Sequence, residues 1–524
     1  MNFNLANVVY ERSLISPNAL AVACEGAVLS YAELATKATR LARLLDDTPF
    51  WNHGDASQRV GILASRSLDA CVAMIGTCWA GATYVPISLS APEDRIVEII
   101  KSCGLSAIVA DRRGMQLLSR AVLESCPQTV IVPDTNGLPA TPPASVSITS
   151  VTSEASVISA PAQMSASDVA YIIHTSGTSG APKGVIISAG AARHYIDAVS
   201  KFLALTPEDR ALEACELSFD ASVHNMFSTW DAGASLHILP AAKVLNAVKF
   251  AQTSQISVWN SVPSLVGMLR QLGVLRPNVL PNVRLAVFGG EQLSAGIVDV
   301  WRASAPDSDV KNLYGPTEAT VYCLCQTVDA SAPLTPGRDV IPVGVPLRGN
   351  EAFIVDEAGS LLGVGEIGEL AIAGPQLAEG YLNASELTAR KFPMLNEKRV
   401  YLTGDLAMLD ASGLYHCLGR KDNQVKVLGH RIELEEIEAH LRMVAKANLV
   451  GVVAWPVVDG LARGVVAFVG GHEFDPLQVR EALAARLPAY MLPGKILSLQ
   501  DIPLNHNGKV DRRALLNILE REAA

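Results

Sequence analysis

The sequence has no excess of positive charge and no long apolar run. Lysine and arginine number 42 against 52 aspartates and glutamates, which gives a formal charge of −10. A broad nucleic-acid surface needs a basic face, so none is expected. The longest apolar stretch, residues 447–458, is interrupted by Asn448 and Pro456. It is shorter than the roughly 20 apolar residues that cross a bilayer. We therefore expect neither a nucleic acid nor a membrane as a partner.

Paired cysteine motifs are also missing. The nine cysteines are dispersed, none forms a Cys-x-x-Cys pair, and Cys323 with Cys325 has no histidine nearby. This odd, scattered set indicates reduced thiols rather than disulfides or a zinc site. The first residues, MNFNLANVVYERS, carry neither a basic region nor an apolar stretch typical of a secretion signal. These features predict a cytoplasmic protein.

The composition that is present is that of a large globular chain. Its 524 residues are 49% hydrophobic and 18% charged, which excludes disorder and predicts three or four folding units at roughly 150 residues each. In the first 130 residues, predicted helices (31–45 and 67–80) alternate with short apolar strands (60–63 and 107–110). This alternation predicts α/β layers around a largely parallel sheet.

The pattern changes twice towards the C-terminus. From about residue 343, short strands and glycine-rich turns predict a β-rich subdomain, and after Gly419-Arg-Lys-Asp422 about 100 residues form a compact mixture of helices and strands. We therefore predict an α/β protein with two domains. Residues 1–421 form a large N-terminal domain of layered α/β subdomains plus the β-rich subdomain, and residues 422–524 form a small mobile α+β C-terminal domain.

The segment with the clearest chemistry is a loop within residues 171–188. Thr175, Ser176 and Thr178 interleave with Gly177 and Gly180 between two apolar strands, and Lys183 follows. Glycines let backbone N–H groups converge on one point, hydroxyls add donors, and lysine adds a positive charge, which together suit polyphosphate oxygens. A flexible linker is the alternative, but the flanking strands disfavour it. The pattern is not a Walker A loop, because no Gly-Lys-Ser/Thr closes it.

This loop resembles the phosphate loop of the adenylate-forming superfamily, which includes acyl-CoA synthetases, luciferases and the adenylation domains of nonribosomal peptide synthetases. Other matching segments follow in the family's order from Leu29 to Arg513. They are LSYAEL, AGATYVPI, FDASVHNMF, NLYGPTEATV, GELAIAGPQLAEGYLN, YLTGDLAMLD, GRKDNQVKVLGHRIELEEIE, LPAYMLP and PLNHNGKVDR. The residues and spacing of these motifs are most similar to those of a stand-alone, amino-acid-activating adenylation domain.

The resemblance implies a ligase that uses ATP and Mg²⁺. A carboxylate attacks the α-phosphorus to give an acyl-adenylate and pyrophosphate, and a phosphopantetheine thiol then displaces AMP. Catalytic roles fall to Thr175, Glu318 and Lys509, with Glu318 also holding the metal. The residues expected to bind the nucleotide are Ser176, Gly177, Thr178, Lys183, Gly289, Gly290, Glu291, Tyr314, Asp405 and Arg420.

The resemblance also implies motion of the C-terminal domain. Lys509 lies in NGKVDR, on a turn before the last helix, and would bridge the substrate carboxylate and the α-phosphate. Asp422 matches the family's hinge position. Rotation there would alternate Lys509 with Gly429 and its neighbours, which would line the pantetheine tunnel.

Asp220 matches the aspartate that pairs with the substrate ammonium in amino-acid-activating members. The alternative is a helix cap, although a buried ammonium needs a counter-charge. The motif-aligned pocket positions are Asp220, Ala221, His224, Asn260, Ala286, Phe288, Leu313, Val321 and Tyr322. Phe288 and Tyr322 would shorten the pocket, and His224 and Asn260 could hydrogen-bond a substrate side chain or a displaced carboxylate. The set predicts a small or medium amino acid, with a polar side chain, a β-amino acid or another nonproteinogenic acid all open. His224 is equally compatible with a plain core histidine.

No carrier-protein segment follows Arg513, and no condensation-type His-His-x-x-x-Asp motif occurs. We therefore expect the enzyme to load a separate acyl or peptidyl carrier protein in natural-product biosynthesis. Two alternatives stay open. One is a CoA ligase for a non-amino carboxylic acid, and the other is a catalytically silent homologue that acts as a binding protein.

Overall fold

The computed structural model describes residues 2–48, 58–133, 138–150, 158–176, 182–447, 449–458, 460–471, 474–504 and 510–523. Three predicted site residues, Gly177, Thr178 and Lys509, lie outside these ranges. The α-helices of the described residues are Asn7–Ile15, Tyr31–Asp46, Leu68–Trp79, Glu93–Cys103, Arg120–Ser125, Ala189–Leu203, Ala221–Ala232, Ala247–Thr253, Pro263–Gln271, Ala295–Ser304, Ser385–Lys391, Leu434–Ala445, Pro476–Ala484 and Arg512–Ala523.

Two large sheets, mostly parallel, form the bulk of the protein. In spatial order, the nine-stranded sheet contains Val345–Pro346, Leu324–Val328, Asp309–Tyr314, Leu285–Gly289, Val258–Ser261, Arg210–Glu213, Ser235–Ile238, Leu20–Cys24 and Ala27–Ser30. The eight-stranded sheet contains Gly380–Tyr381, Lys183–Ser188, Val169–Thr175, Thr83–Pro86, Arg59–Leu63, Ala107–Ala110, Thr129–Val132 and Ser147–Ser150. A shared hydrophobic core joins both sheets through helices that include Tyr31–Asp46 and Ala221–Ala232.

Local sequence explains these elements. Ser30 begins the helix Tyr31–Asp46 with a capping box, in which Glu33 N–H donates to Ser30 Oγ at 3.3 Å and Ser30 N–H donates back to Glu33 Oε2 at 2.8 Å. The strands Ala107–Ala110 and Thr129–Val132 are buried at every residue. Such continuous burial is typical of parallel strands covered on both faces.

Three smaller sheets complete the fold. The strands Glu351–Val355, Ile367–Ala373, Lys398–Leu409, Met394–Leu395 and Tyr415–Arg420 form one antiparallel sheet. Beyond residue 422, one sheet contains His430–Glu433, Gln424–Val427, Leu461–Ala462 and Val457–Val458, and another contains Val450–Ala454, Val465–Gly470 and Lys495–Leu499. Among the described residues, no strand after Asp422 pairs with a strand before it.

The predicted α/β architecture with a β-rich subdomain and a small C-terminal region is confirmed. The sequence also predicts a strand over 255–259, which the structure has at Val258–Ser261. The Ser-, Thr- and Pro-rich segment 134–167, predicted as a surface connection with one or two edge strands, contributes the edge strand Ser147–Ser150. The 421/422 domain boundary stays a prediction. Across the described residues, no helix combines the length and the apolar character that crossing a bilayer requires.

Candidate functional site

Most of the predicted site residues meet where parallel strands end. Val169–Thr175 ends at Thr175, Arg210–Glu213 leads into the loop carrying Asp220, and Asp309–Tyr314 ends at Tyr314. Ligands of open α/β sheets bind outside the carboxyl ends of strands. Three adjoining cavities open there. We call them the central, the Tyr314 and the Asp220 cavity.

The central cavity has a volume of 130 Å³ and lies between residues that precede Asp422 and residues that follow it. Its lining joins residues from both large sheets to residues beyond Asp422. Those that matter below are Thr175, Ser176, Asp220, Gly290, Tyr314, Asp405, Arg420, Lys426, Gly429 and Arg431.

The described part of the phosphate loop presents donors to this cavity. Thr175 Oγ1 is buried and has no hydrogen-bond partner among the described residues. Ser176 Oγ donates to the carbonyl of Arg431 at 2.8 Å. Lys183 Nζ lies 3.7 Å from Glu433 Oε1, and its burial lowers the pKa of the ammonium. An unpaired hydroxyl beside a lysine is a set of groups that suits an anion.

Glu318 is fully buried and has both carboxylate oxygens bound. Tyr381 Oη donates to Oε1 at 2.8 Å, and Arg431 Nη1 donates to Oε2 at 2.9 Å. Burial opposes ionisation, but the charges of Arg431 and Lys183 outweigh it and lower the pKa of Glu318 to about 2. The carboxylate is therefore charged at neutral pH. A hard cation would find a suitable oxygen here once Arg431 is displaced.

No larger acidic cluster supports Glu318 as a metal site. The described residues contain no group of three or more histidine, cysteine, aspartate or glutamate side chains that could hold an ion. Magnesium is commonly held by one or two carboxylates and by substrate phosphates rather than by a protein cage. Glu318 alone is compatible with that mode of binding.

Tyr314, Asp405 and Arg420 form a polar cluster beside the 240 Å³ Tyr314 cavity. Tyr314 Oη donates to Asp405 Oδ2, and Arg420 Nη1 donates to Asp405 Oδ1 at 2.9 Å. The remaining guanidinium nitrogens of Arg420 bind the carboxylate of Asp422. The apolar walls of this cavity include Leu293, Ile341, Val343, Leu461 and Ala462. Flat apolar walls beside a carboxylate suit an aromatic ring that carries hydroxyl groups.

Glu291 links the residues before Asp422 to the residues after it. Its Oε1 accepts from the Gly429 N–H at 2.5 Å, and its Oε2 accepts from the Ser264 N–H at 2.9 Å. Burial raises the pKa of this carboxyl. Gly429 has φ +86°, and a Cβ there would lie 2.8 Å from Val262 Cγ1. Only glycine therefore fits this close approach without strain.

The Asp220 cavity has a volume of 320 Å³ and is lined by Asp220, Ala221, His224, Asn260 and Tyr322, as expected, and also by Gly289 and Gly290. Asp220 precedes the helix Ala221–Ala232 without capping it through its side chain. Burial raises the pKa of Asp220 to about 6, although a hydrogen bond with Thr317 acts in the opposite direction and lowers this pKa. A positively charged ligand group would restore its ionisation.

Two predicted pocket residues are corrected. Ala286 and Phe288 alternate with Val287 and Gly289 on the strand Leu285–Gly289, and Val287 and Gly289 are the ones that line the cavity. Phe288 packs on the opposite face, 5.4 Å from the ring of Trp301. The reason is the two-residue period of a strand, because a one-residue error in register exchanges its faces.

The pocket role of Val321 stays a prediction, whereas Leu313 lies at a different cavity from the one expected. Both are buried in the core, and Leu313 lines the Tyr314 cavity rather than the Asp220 cavity. Gly289, expected beside a nucleotide base, lines the Asp220 cavity. Gly290 and Glu291 do line the Tyr314 cavity.

Comparison with known proteins identifies the family. The model of the family described as AMP-binding enzyme matches residues 11–382. The chain belongs to the AMP-binding enzyme family. It is an AMP-forming adenylation enzyme of the nonribosomal peptide synthetase type.

Similar proteins of this family include long synthases. Tyrocidine synthase 3 of Brevibacillus parabrevis is 31% identical over 508 residues, which cover 95% of this chain and 7% of the synthase. Gramicidin S synthase 1 of Brevibacillus brevis is 32% identical over 506 residues, which cover 95% of this chain and 43% of that protein. The chain thus spans less than half the length of either synthase.

A solved structure matches the whole fold of this AMP-binding enzyme. The crystal structure of the Vibrio cholerae adenylation domain AlmE in complex with glycyl-adenosine-5'-phosphate has a TM-score of 0.88 and 28% identity. The match covers 99% of this chain and 98% of that one.

Sequence reasoning missed three residues of the candidate site. Lys426 lines the central and Tyr314 cavities, and Arg431 binds Glu318. Both are cations on neighbouring strands of the GRKDNQVKVLGHRIE segment. The concentration of cations in this segment is visible in the sequence. Tyr195 Oη lies 2.6 Å from Nδ1 of His224. No sequence signal links these two residues, because they lie on different helices.

Proposed function

We propose that this enzyme activates an amino acid as an aminoacyl-adenylate and then transfers it to the phosphopantetheine thiol of a separate carrier protein. The observation that carries the proposal is the place of Asp220. Its carboxylate lines both the Asp220 cavity and the central cavity, which also contains Thr175 and Ser176. If the amine of the substrate amino acid binds Asp220, the carboxylate of that amino acid would therefore lie near the phosphate loop.

The first half-reaction is a displacement at phosphorus. A substrate carboxylate oxygen forms a bond to the α-phosphorus of ATP, the bond from that phosphorus to the bridging oxygen breaks, and pyrophosphate leaves with both electrons. Thr175, Ser176 and Lys183 orient the leaving phosphates, and Lys509 neutralises charge at the reacting atoms. Magnesium, held by Glu318 and the phosphates, would neutralise further phosphate charge.

Nucleotide binding follows from the Tyr314 cavity. Its apolar walls accept the adenine ring beside Tyr314, and Asp405 accepts hydrogen bonds from the ribose hydroxyls. Arg420, already bound to Asp405, holds that carboxylate in place. These contacts fix the α-phosphorus relative to the amino acid, and such positioning supplies a large part of the catalysis of a phosphoryl or adenylyl transfer.

The second half-reaction is thioester formation. The pantetheine sulfur forms a bond to the acyl carbon, the acyl–phosphate oxygen bond breaks, and AMP leaves while the thiol proton passes to solvent. Gly429 lines both the central and the Asp220 cavity, so its segment borders the route to the acyl carbon. The absence of a side chain at Gly429 keeps that segment close to Val262.

The charge of Asp220 favours an amino acid over an aryl or fatty acid. A carboxyl whose pKa is raised to about 6 by burial gains most from a ligand that supplies an ammonium. An acid without an amine would leave the buried Asp220 carboxylate without a counter-charge, which costs free energy. The glycyl-adenosine-5'-phosphate bound to the similar domain AlmE supports the same choice.

Pyrophosphate exchange with a panel of acids tests this proposal. We expect exchange with amino acids and little with aryl or fatty acids. Asp220→Asn should lower amino-acid kcat/KM by about 100-fold or more, the scale of unpairing a buried charge. The matched control is Asp197→Asn, whose exposed carboxylate binds Arg193 on the helix surface and should leave exchange unchanged.

Two results would redirect the assignment. Preference for acids without nitrogen would identify a CoA ligase of this family. Absence of exchange with every acid, in a folded enzyme that still binds ATP, would indicate a silent homologue.

A further inference from the structure

We propose that the Asp220 cavity selects an amino acid whose short side chain ends in a neutral group that both donates and accepts hydrogen bonds, namely a hydroxyl or a primary amide. The inference rests on the proposed amino-acid activation. It comes from two buried polar atoms in the wall of that cavity that lack a protein partner, one on His224 and one on Asn260.

His224 presents a donor. Its Nδ1 lies 2.6 Å from Tyr195 Oη, and both side chains are buried. If Nδ1 carried the proton, the tyrosine hydroxyl hydrogen would need a second acceptor, and Tyr195 Oη makes no other hydrogen bond among the described residues. Buried hydroxyls are nearly always satisfied, so the tyrosine donates to Nδ1 and the proton lies on Nε2.

That Nε2 proton has nothing to bind in the protein. His224 Nε2 is buried and has no hydrogen-bond partner in the described part of the chain. Burial lowers the pKa of the imidazole to about 3, so the ring is neutral and has this single N–H to offer. A substrate atom that accepts a hydrogen bond would satisfy it.

Asn260, on the strand Val258–Ser261, presents an acceptor. Its Oδ1 is also buried and has no partner among the described residues, and the side chain lines the same cavity as His224 and Asp220. A group that donates to Asn260 and accepts from His224 satisfies both. A buried acceptor or donor left unpaired costs about 1–3 kcal/mol, so an apolar side chain would bind poorly.

The walls also limit the size of the side chain. The ring of Tyr322 meets the His224 imidazole edge to face at a centroid distance of 5.3 Å. The phenol of Tyr322 also packs against Gly289, where an added Cβ would lie 2.6 Å from the tyrosine oxygen. Little depth is left beyond His224, which favours side chains of no more than about four heavy atoms past Cα, the size of a short hydroxyl or amide side chain.

Three isosteric pairs of amino acids test the inference by pyrophosphate exchange with the intact enzyme. They are serine against 2-aminobutyrate, threonine against valine, and asparagine against leucine. In at least one pair we expect the polar member to be preferred by about 10-fold or more in kcat/KM, the scale of one unpaired buried group.

The outcomes separate this inference from the proposed function. Exchange with the apolar member equal to or better than the polar one in all three pairs overturns the inference while leaving amino-acid activation intact. Preference for aspartate or glutamate also overturns it, because Arg66, which lines the same cavity, would then select the side chain. Absence of exchange with any amino acid overturns the proposed function instead.

Tyr195→Phe tests the positioning role of the tyrosine. Without the hydroxyl, the proton of His224 is free to occupy either nitrogen, so the preference for the polar member should shrink by about 10-fold. The control is Tyr31→Phe, which also removes a buried tyrosine hydrogen bond, here to the Ala234 carbonyl at 2.6 Å, but away from the cavity. Tyr31→Phe should keep the wild-type preference, and an equal preference in both variants would overturn the role given to Tyr195.

Discussion

The ion pair between Arg431 and Glu318 makes a sharp prediction about ATP. The segment after Asp422 holds Glu318 through Arg431, and it occupies Ser176 Oγ through the Arg431 carbonyl. Both partners are residues that we assign to magnesium and phosphate. Binding of MgATP must therefore break these contacts, and Arg431→Gln should make binding easier.

The structure sets the magnitude of this effect. Glu318 has a pKa of about 2 instead of 4.5, which corresponds to about 3 kcal/mol of net stabilisation of the carboxylate. Arg431 and Lys183 are the cations responsible, with Arg431 the larger contributor. Loss of the larger contributor is therefore expected to act on the scale of about one pKa unit, or about 10-fold in an equilibrium constant. We expect the Kd for MgATP to fall by about 10-fold in Arg431→Gln.

Calorimetric titration with MgATP in the absence of amino acid measures this change. A double-mutant cycle with Glu318→Gln isolates the pair, since Arg431→Gln should then have little further effect. Arg95→Gln is the matched control, because it breaks another ion pair with the same segment, to Glu436 at 2.7 Å, and leaves Glu318 bound. Weaker MgATP binding in Arg431→Gln would refute the reasoning. An equal gain in Arg95→Gln would show that general loosening is the cause.

Three further predictions follow from the site. Amino-acid KM should rise by about 10-fold per pH unit below pH 6, because protonated Asp220 loses the counter-charge for the ammonium, and a flat profile from pH 7 to 5 would contradict this. Asp405→Ala should raise the KM for ATP by about 10-fold and abolish discrimination against 2'-deoxy-ATP, since it removes the ribose acceptor; retained discrimination would exclude that role. Lys509→Ala should lower pyrophosphate exchange by about 100-fold while thioester formation from supplied aminoacyl-adenylate continues, and equal loss of both half-reactions would count against a mobile C-terminal domain.

Much of the fold and of the site could be predicted from sequence. Alternating apolar strands and amphipathic helices indicated the parallel sheets, and the ordered motifs identified Thr175, Asp220 and Tyr314 as site residues. Thr175 ends a strand of the eight-stranded sheet, whereas Asp220 follows and Tyr314 ends a strand of the nine-stranded sheet, and the carboxyl ends of these strands border the same cavity. Local pattern and chain order are enough for such statements.

The pocket wall was harder to predict. The alternation along Leu285–Gly289 shows that Ala286 and Phe288 share one face, but not which face borders the cavity. Strand pairing and the packing of Phe288 on Trp301 decide that Val287 and Gly289 do. A strand buried on both faces carries no polar residue to mark its pocket side.

Contacts between distant parts of the chain depended on tertiary structure alone. The hydrogen bond from Tyr195 to His224 joins two helices, and the ion pair from Arg431 to Glu318 joins residues 113 positions apart. The sequence by itself determined the family, the layered architecture and the phosphate-loop chemistry, because these depend on short motifs and on their order. Only the tertiary structure decided which atoms lack partners in the Asp220 cavity and which cation holds Glu318, because burial and pairing depend on how separate elements pack together.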